Sequence, residues 1–586
     1  MENSTPKKKN RFQVITKYLR LYRKYLIWGA LAVMGSNILM LLNPYLLKIA
    51  FDRLEKHAPN SEILEIALLI VLFSVISGLF RFSMRRTIIW MSRKVEYDLR
   101  SELFHHLLKL NPTFYHNTRT GDIMARATND IEAVRMMIGP GIMQMSNTIV
   151  TALTAIGFML FLSPVLTLYA LIPLPILSYL VTSLGGMVHK QFTKIQDYFA
   201  VLTSRVQENL AGVRVIRAYN QENPEIDSFS GHNKKYISLN MEMIKIYSMF
   251  YPLLFMVAGA VNILVLYFGG KSVITGALSL GTLVAFFAYL AILIWPMIAL
   301  GWVISLYQRG TASLDRINKI LDTNPAIQTR AENAYKGEVS GKIEFRNLIF
   351  AYNGTRVLRN IDLSINPGMT VGIVGPTASG KSTLISLIGR LYPINRGELL
   401  IDNIDINDWD LESLRSQIGF VPQEPFLFSD TIANNILFGS EITDSAVVQK
   451  AALSAVLDKE INEFPDRYDT VVGERGITLS GGQKQRVALA RALVIDPKIL
   501  ILDDATSAVD TETEHLINLR LRDEINKRTS LIISHRASAV KDADLIIYME
   551  NGSIAESGNH DDLMSKNGRY ARMYRTQLIE EELRRM

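Results

Sequence analysis

Before Ser305 the sequence carries six apolar stretches, near residues 25–51, 63–84, 138–162, 165–186, 247–270 and 280–304. Each is close to or above the ~20 residues that a helix needs to cross the hydrocarbon core of a bilayer. In hydrocarbon every backbone N–H and C=O must find its partner inside the protein, and a helix meets that demand within one segment. Pro44, Pro173, Pro175, Pro252 and Pro296 fall inside the stretches. They are tolerated where neighbouring helices cover the freed backbone groups. After Ser305 the chain turns into ordinary mixed sequence, with Asn324-Pro325 as a break. The 48% hydrophobic content is therefore concentrated in the first half of the 586 residues.

The connections between the stretches are unequal. Three are short, while the second and fourth run for about 50–60 residues and hold most of the basic residues, among them Arg85, Arg86, Arg93, Lys94, Arg135, Lys190, Arg205 and Arg217. The short ones hold only Arg53, Lys56 and Lys271. This bias predicts that the N-terminus and both long connections of a multi-pass chain are cytoplasmic. The long connections read as helices, as in Val95 to Phe104, so the spans are expected to continue past the bilayer as stalks. Phe12, Ile15, Tyr18, Leu19 and Tyr22 recur at helical spacing among basic residues and suit a helix lying in the membrane interface.

Composition removes several function classes. There is no cysteine, hence no disulfide, thiol nucleophile or thiolate metal site. The net charge of +7 fits a basic cytoplasmic surface facing anionic lipid, and no nucleic acid is expected as a partner. No cleavable leader is expected after Lys7-Lys8-Lys9. Lys48 and Glu65 lie near span ends, and the third, fifth and sixth spans carry no ionisable residue at their centres. A proton-driven carrier would need such residues. Asn37, Asn43, Asn147 and Asn262 are expected to bond between helices. Met136, Met137, Met143 and Met145 fit either packing or an adaptable binding wall.

The soluble part supplies an energy source. Gly375-Pro376-Thr377-Ala378-Ser379-Gly380-Lys381-Ser382-Thr383 fits the phosphate-loop pattern, with a buried strand before it and a helix after it. Its glycines let backbone N–H groups converge on an anion at the helix N-terminus. Lys381 can reach the outer phosphates of ATP and Ser382 can ligate Mg2+. Ile499 to Asp503 is an apolar strand ending in a carboxylate, which can hold Mg2+ through water. Ser480-Gly481-Gly482-Gln483 opens a further helix and offers a second anion site. One chain cannot easily bring both anion sites to one phosphate, so the second is expected to serve nucleotide held by a partner. Further strands are predicted at 341–352 and 530–534. The fold class is thus a multi-domain membrane protein: a six-helix all-α transmembrane domain with long helical stalks, then an α/β phosphate-loop nucleotide-binding domain.

With these residues in view, the chain resembles ATP-binding cassette exporters of the six-span, stalked, half-transporter type, over nearly its whole length. The resemblance implies that Tyr352 stacks on adenine, that Gln423 senses Mg2+ and that His535 holds the γ-phosphate. It also implies that Ser507 to Asp510 links the two sites of a dimer and that Glu474-Arg475-Gly476 contacts partner stalks. The coupling helices would lie near Thr113–Asp122 and Arg217–Phe229, with the Phe114-Tyr115 pair and Gly121 fitting that role.

Two positions depart from the family pattern. Ala378 stands where glycine is common, a small change expected to be neutral. Asp504 follows Asp503 where the family usually has the glutamate that polarises the attacking water. Aspartate is one methylene shorter, so this chain's own site should bind ATP and hydrolyse it slowly, while Ser480–Gln483 completes a competent site on a partner. That combination, with Ile501 to Asp510 and Ile294 to Leu300, is most similar to the degenerate-site, MdlA-type half of bacterial heterodimeric multidrug exporters. The implied cargo is a small amphipathic compound and the implied partner a homologous half-transporter. A homodimeric lipid flippase and a membrane-tethered ATP-binding regulator are the competing readings. The expected domains are an interfacial elbow helix (1–24), a transmembrane domain (25–310), a linker (311–340) and a nucleotide-binding domain (341–586).

Overall fold

The computed structural model describes residues 12–328, 334–440, 444–506 and 511–585. The chain forms two compact units, the first from Met1–Leu108 and Arg119–Thr323, the second from Lys109–Thr118 and Asn324–Met586.

The first unit is helical throughout. It contains α1 (Gln13–Leu21), α2 (Arg23–Glu55) and α3 (Asn60–Lys109). After the short α4 (Pro112–Asn117) of the second unit come α5 (Thr120–Leu162), α6 (Pro164–Leu171), α7 (Leu174–Ala211), α8 (Val213–Ala218), α9 (Glu222–Ile274) and α10 (Leu280–Leu321). Among the described residues five helices are long and apolar enough to cross a membrane: α2, α3, α5, Phe255–Ile274 of α9, and α10. The predicted fourth span, 165–186, is helical and runs through α6 into α7.

α3 shows why the stalks exist. Its 50 residues extend about 75 Å at 1.5 Å per residue, more than twice the ~30 Å hydrocarbon core. Its most apolar window has mean hydropathy 2.6, yet only 11% of that window is buried. Leu68, Leu72, Val75, Leu79 and Phe82 are exposed, an apolar face suited to lipid. Further along, Met84, Ile88, Met91, Val95, Leu99 and Leu103 recur every three to four residues and are buried. One helix thus passes from a lipid-facing to a protein-facing pattern.

Polar side chains pin the helices together. Asn37 Nδ2 donates to Asn147 Oδ1 at 3.0 Å, and Thr151 Oγ1 donates to Asn37 Oδ1 at 2.5 Å, joining α2 to α5. Asn43 Nδ2 donates to Ser74 Oγ at 3.0 Å. These are the interhelical bonds expected of Asn37, Asn43 and Asn147, whereas Asn262 is exposed. Met137 is buried and Met143 packs against Ala32, Val33, Met84 and Ile88, while Met145 is exposed.

α5 is interrupted by π turns at Arg126–Asp130 and Met137–Gly141. Asp130 accepts from Ser313 Oγ at 2.9 Å and Arg316 Nε at 2.8 Å on α10. Burial works to raise the Asp130 carboxyl, but the bonds from Arg316 and Ser313 outweigh it and hold it below its ordinary value. Glu96 of α3 lies in the same position: burial opposes its charge, and hydrogen bonds from Arg100 and Arg93 leave its pKa lowered. α1 is tied to α3 through its hydroxyls: Tyr22 donates to Asp98 Oδ2 at 2.8 Å and Tyr18 donates to Glu102. Ile15 and Tyr18 are buried. At those two positions the pattern that predicts an interfacial helix is accounted for by packing within the unit. α10 continues to Leu321, so residues 311–321 of the expected linker are helical.

The second unit holds two sheets. β1 (Ile343–Tyr352), β2 (Thr355–Ile365), β4 (Leu399–Ile401) and β5 (Ile404–Asp405) form an antiparallel sheet in the order β2-β1-β4-β5. β3 (Thr370–Val374), β6 (Ile418–Val421), β7 (Ile499–Asp503), β8 (Thr529–Ile533), β9 (Leu545–Glu550) and β10 (Ser553–Gly558) form the other, in the order β10-β9-β3-β8-β7-β6. β3 and β7 are buried at every position, which is why they read as unbroken apolar runs. Both sheets contribute to one core, in which Phe345, Ile373, Leu384, Ile501 and Leu531 meet. Helices α11 (Lys381–Ile388), α12 (Gly481–Val494), α13 (Thr511–Ile525) and α14 (Arg569–Arg585) complete the elements used below.

Candidate functional site

Four neighbouring parallel strands, β3, β8, β7 and β6, place the site. Their registers bring Ile373 beside Ile533, Ile533 beside Asp503, and Leu502 beside Val421. Gly375 follows β3, His535 follows β8, Asp503 ends β7, and Gln423 lies just beyond β6. At strand spacings of about 4.8 Å, four loops scattered over the sequence stand in one row at the carboxyl edge of the sheet.

The phosphate loop has the backbone its glycines predict. At Gly375, φ 144, an added Cβ would stand 2.1 Å from the Met549 carbonyl oxygen. Gly380, φ 99, caps the N-terminus of α11. Ala378 also holds a left-handed φ of 64, so its replacement of glycine is not conformationally neutral. Pro376, Thr377 and Ala378 form the exposed crest, and Ser379, Gly380 and Lys381 are buried beneath it.

The polar groups fit a nucleotide with its cation. Lys381 Nζ is folded back on the Gly375 and Pro376 carbonyls at 2.8 and 2.9 Å, the interior of the loop. Burial lowers its pKa, against the charges of Asp503 and Asp504. Ser382 Oγ donates to Asp503 Oδ1 at 3.1 Å, so the two expected Mg2+ ligands already adjoin. Burial raises the Asp503 carboxyl despite that bond and the nearby charges of Lys381 and His535. A bound cation would favour the ionised form there. The Ser379 hydroxyl is 2% exposed and lacks a hydrogen-bond partner in the loop. Tyr352, at the end of β1, has its hydroxyl 3.5 Å from Thr383 Oγ1 and its ring edge-on to Tyr392 at 5.1 Å. Tyr352 and the loop are thereby brought together. Burial, then Tyr352, pushes Tyr392 up to about 12.

Asp504 is 8% exposed and holds φ 50. Its N–H donates to the Ile533 carbonyl at 3.0 Å and its carbonyl accepts from Gln485 Nε2 at 3.4 Å. Aspartate is among the residues that best tolerate this left-handed backbone. Gln423 and His535 are exposed. Ser480 caps α12 reciprocally: its Oγ accepts from the Gln483 N–H at 3.3 Å and its own N–H donates to Gln483 Oε1 at 2.9 Å. Ser480 and Gly481 are exposed, and Gly482 is buried. The Ser507–Asp510 segment lies outside the described residues. Phe114 and Tyr115 of α4 stack edge to face at 5.3 Å, and Gly121 has open space around it, so nothing there requires glycine.

Comparison with known proteins agrees with this geometry. The model of the ABC transporter transmembrane region matches residues 26–297, and the ABC transporter model matches residues 358–507. The "Probable multidrug resistance ABC transporter ATP-binding/permease protein YheI" of Bacillus subtilis (strain 168) is 38% identical over 97% of this chain and 98% of its own length. The chain belongs to the ATP-binding cassette transporters. As an ABC half-transporter it is also similar to the "Multidrug resistance-like ATP-binding protein MdlA" of Escherichia coli (strain K12), 37% identical over 97% of this chain and 96% of that one. The "ATP-dependent lipid A-core flippase" of Syntrophus aciditrophicus (strain SB) is 34% identical over 95% and 92%. A solved bacterial Atm1-family ABC exporter with ATP bound superposes with TM-score 0.79 at 27% identity, covering 95% of this chain and 98% of that one. The protein is thus a membrane ABC half-transporter with an ATP-binding domain, and half-transporters of this kind act as dimers.

Four residues that hold the site were not read from the sequence: Gln485, Glu514, Arg536 and Gln577. Glu514 is 7% exposed and joins Thr506, whose Oγ1 donates to it at 3.0 Å, to the Arg536 guanidinium. Nothing in the sequence marks Glu514, ten residues beyond Asp504, as buried, so no signal there could have found it.

Proposed function

We propose that this half-transporter pairs with a homologous, non-identical chain and exports small amphipathic, drug-like compounds across the bacterial inner membrane, with both soluble domains in the cytoplasm. ATP would be held by Tyr352 and the Gly375–Thr383 loop, and Ser382, Asp503 and Gln423 would hold Mg2+. That cation supplies charge neutralisation of the phosphates. Lys381 adds a positive charge at the same place, and His535 reaches the γ-phosphate from the end of β8. Ser480 and Gly481, exposed at the start of α12, and the N–H of Gly482 behind them would act as donors for nucleotide on the partner, and Asp510 would belong to the segment joining the two sites.

The observation that carries the asymmetric reading is Asp504. Its backbone is anchored on both sides, so the shorter side chain cannot be moved outward to replace the missing methylene. A positioned general base contributes about 10²–10⁴-fold in rate. The reading therefore expects Asp504→Ala to leave turnover of the assembled complex nearly unchanged and Asp504→Glu to raise hydrolysis at this chain's loop. Collapse of ATPase activity in Asp504→Ala, with ATP binding preserved, would show Asp504 to be a working base. The likeness to a lipid A-core flippase favours a second reading, a homodimeric lipid exporter. Full ATPase activity in a purified homodimer would support it.

A further inference from the structure

The loop carrying His535 is gripped from both sides, and one grip comes from the far end of the chain. Gln577 of α14 donates from Nε2 to the His535 carbonyl oxygen at 2.6 Å, and its Oε1 accepts the Ala537 N–H at 2.7 Å. One side-chain amide thus closes over a three-residue turn. The turn's middle residue is held separately: the Arg536 N–H donates to Ser534 Oγ at 2.9 Å and its guanidinium pairs with buried Glu514. Ala537 and Ser534 are buried, and His535 is exposed, reaching toward the row of strand ends. α14 is itself anchored. Tyr570 and Ala571 are fully buried, the Tyr570 N–H donates to Glu556 Oε2 at 3.1 Å, and Tyr570 hydroxyl lies 2.8 Å from His560 Nδ1. Gln577 sits two turns beyond that anchor.

We infer that Gln577 is a positioning residue for His535, through which the C-terminal helix sets how well this chain's nucleotide site tells ATP from ADP. The inference rests on the reading of His535 as the γ-phosphate contact. Tyr352 and the phosphate-loop backbone serve parts common to both nucleotides, whereas a group at the γ-phosphate, such as His535 or the Lys381 ammonium, touches only ATP. With both amide bonds present, the backbone on either side of His535 is fixed before nucleotide arrives. Without them the imidazole must be ordered at the moment of binding, and only ATP affinity suffers. Gln577 lies beyond residues 358–507, the part of the domain that the family model matches.

The test uses the full-length assembled transporter, with azido-ATP labelling read on this chain and competed by ATP or by ADP. His535→Ala and Gln577→Ala should each lower the ATP-over-ADP preference about three- to ten-fold, the range of one or two lost hydrogen bonds. The double variant should lose no more than His535→Ala alone. Gln577→Glu, which keeps the acceptor for Ala537 and sets an oxygen against the His535 carbonyl, should also lower the preference and serves if Gln577→Ala does not fold. A merely structural role for Gln577 would weaken ATP and ADP alike and leave the ratio unchanged, and that result overturns the inference. Additive losses in the double variant overturn it as well. An unchanged ratio in His535→Ala would instead overturn the reading of His535 on which it stands.

Discussion

Two residues of this site, Ala378 and Asp504, hold a left-handed backbone, at the positions where the sequence reading expects a departure from the family pattern. Ala378 is exposed at the crest of the loop, so its Cβ brings strain without a buried contact in return. Ala378→Gly is expected to stabilise the soluble unit by about 1 kcal/mol, read as a raised thermal midpoint. A fall would show that the added freedom of the unfolded chain outweighs the strain. Lys381→Ala removes the cation folded into the loop and should weaken ATP binding at this chain's site, measured by labelling of this chain. The phosphate loop and the Asp503–Asp504 pair were legible because their chemistry lies in contiguous residues. The φ of Ala378 and the grips of Gln485, Glu514 and Gln577 were not, since each depends on residues from another element meeting it in space.

Among the elements, the π turns of α5 place Asp130 against α10, while Glu96 of α3 meets Arg135 of α5 at 3.4 Å. Both carboxyls are held below their ordinary values, so their contribution to stability is complete above the ordinary carboxylate pKa. It is lost as pH falls through the ordinary value toward the lowered one. Asp130→Asn leaves Arg316 without its charge partner and should cost about 1–3 kcal/mol at neutral pH. Its thermal midpoint should also fall less than that of the unaltered protein as pH drops from about 5 to about 3. Parallel pH profiles would remove Asp130 from the acid response. The helices of this unit followed from apolar length and periodicity, and β1, β3, β7 and β8 from short apolar or alternating runs. The π turns did not, because an extra residue per turn leaves the composition unchanged. The helical course of 311–321 was missed because polarity alone does not end a helix.

For the whole molecule, the exposed apolar residues of the stalks bear on partnership. Val215, Tyr219 and Ile226 are exposed and lie in the connection between the fourth and fifth apolar stretches, which is expected to stand clear of the bilayer. A second chain would cover them. Affinity purification of this chain from its own membrane should recover a related half-transporter in equal amount, and a stable homodimer with full ATPase activity would contradict the pairing.

The claim at the centre is that Ser480–Gln483 of this chain works on nucleotide held by the partner. Ser480→Arg removes a hydroxyl donor and places a bulky side chain at the exposed start of α12. One preorganised donor to transition-state charge is worth about 10²–10³ in rate. The decisive measurement is steady-state ATPase of the assembled Ser480→Arg complex, with ATP labelling resolved by chain. Loss of most activity, while ATP still labels this chain's own Gly375–Thr383 loop, is the result predicted; near-normal turnover would contradict the account.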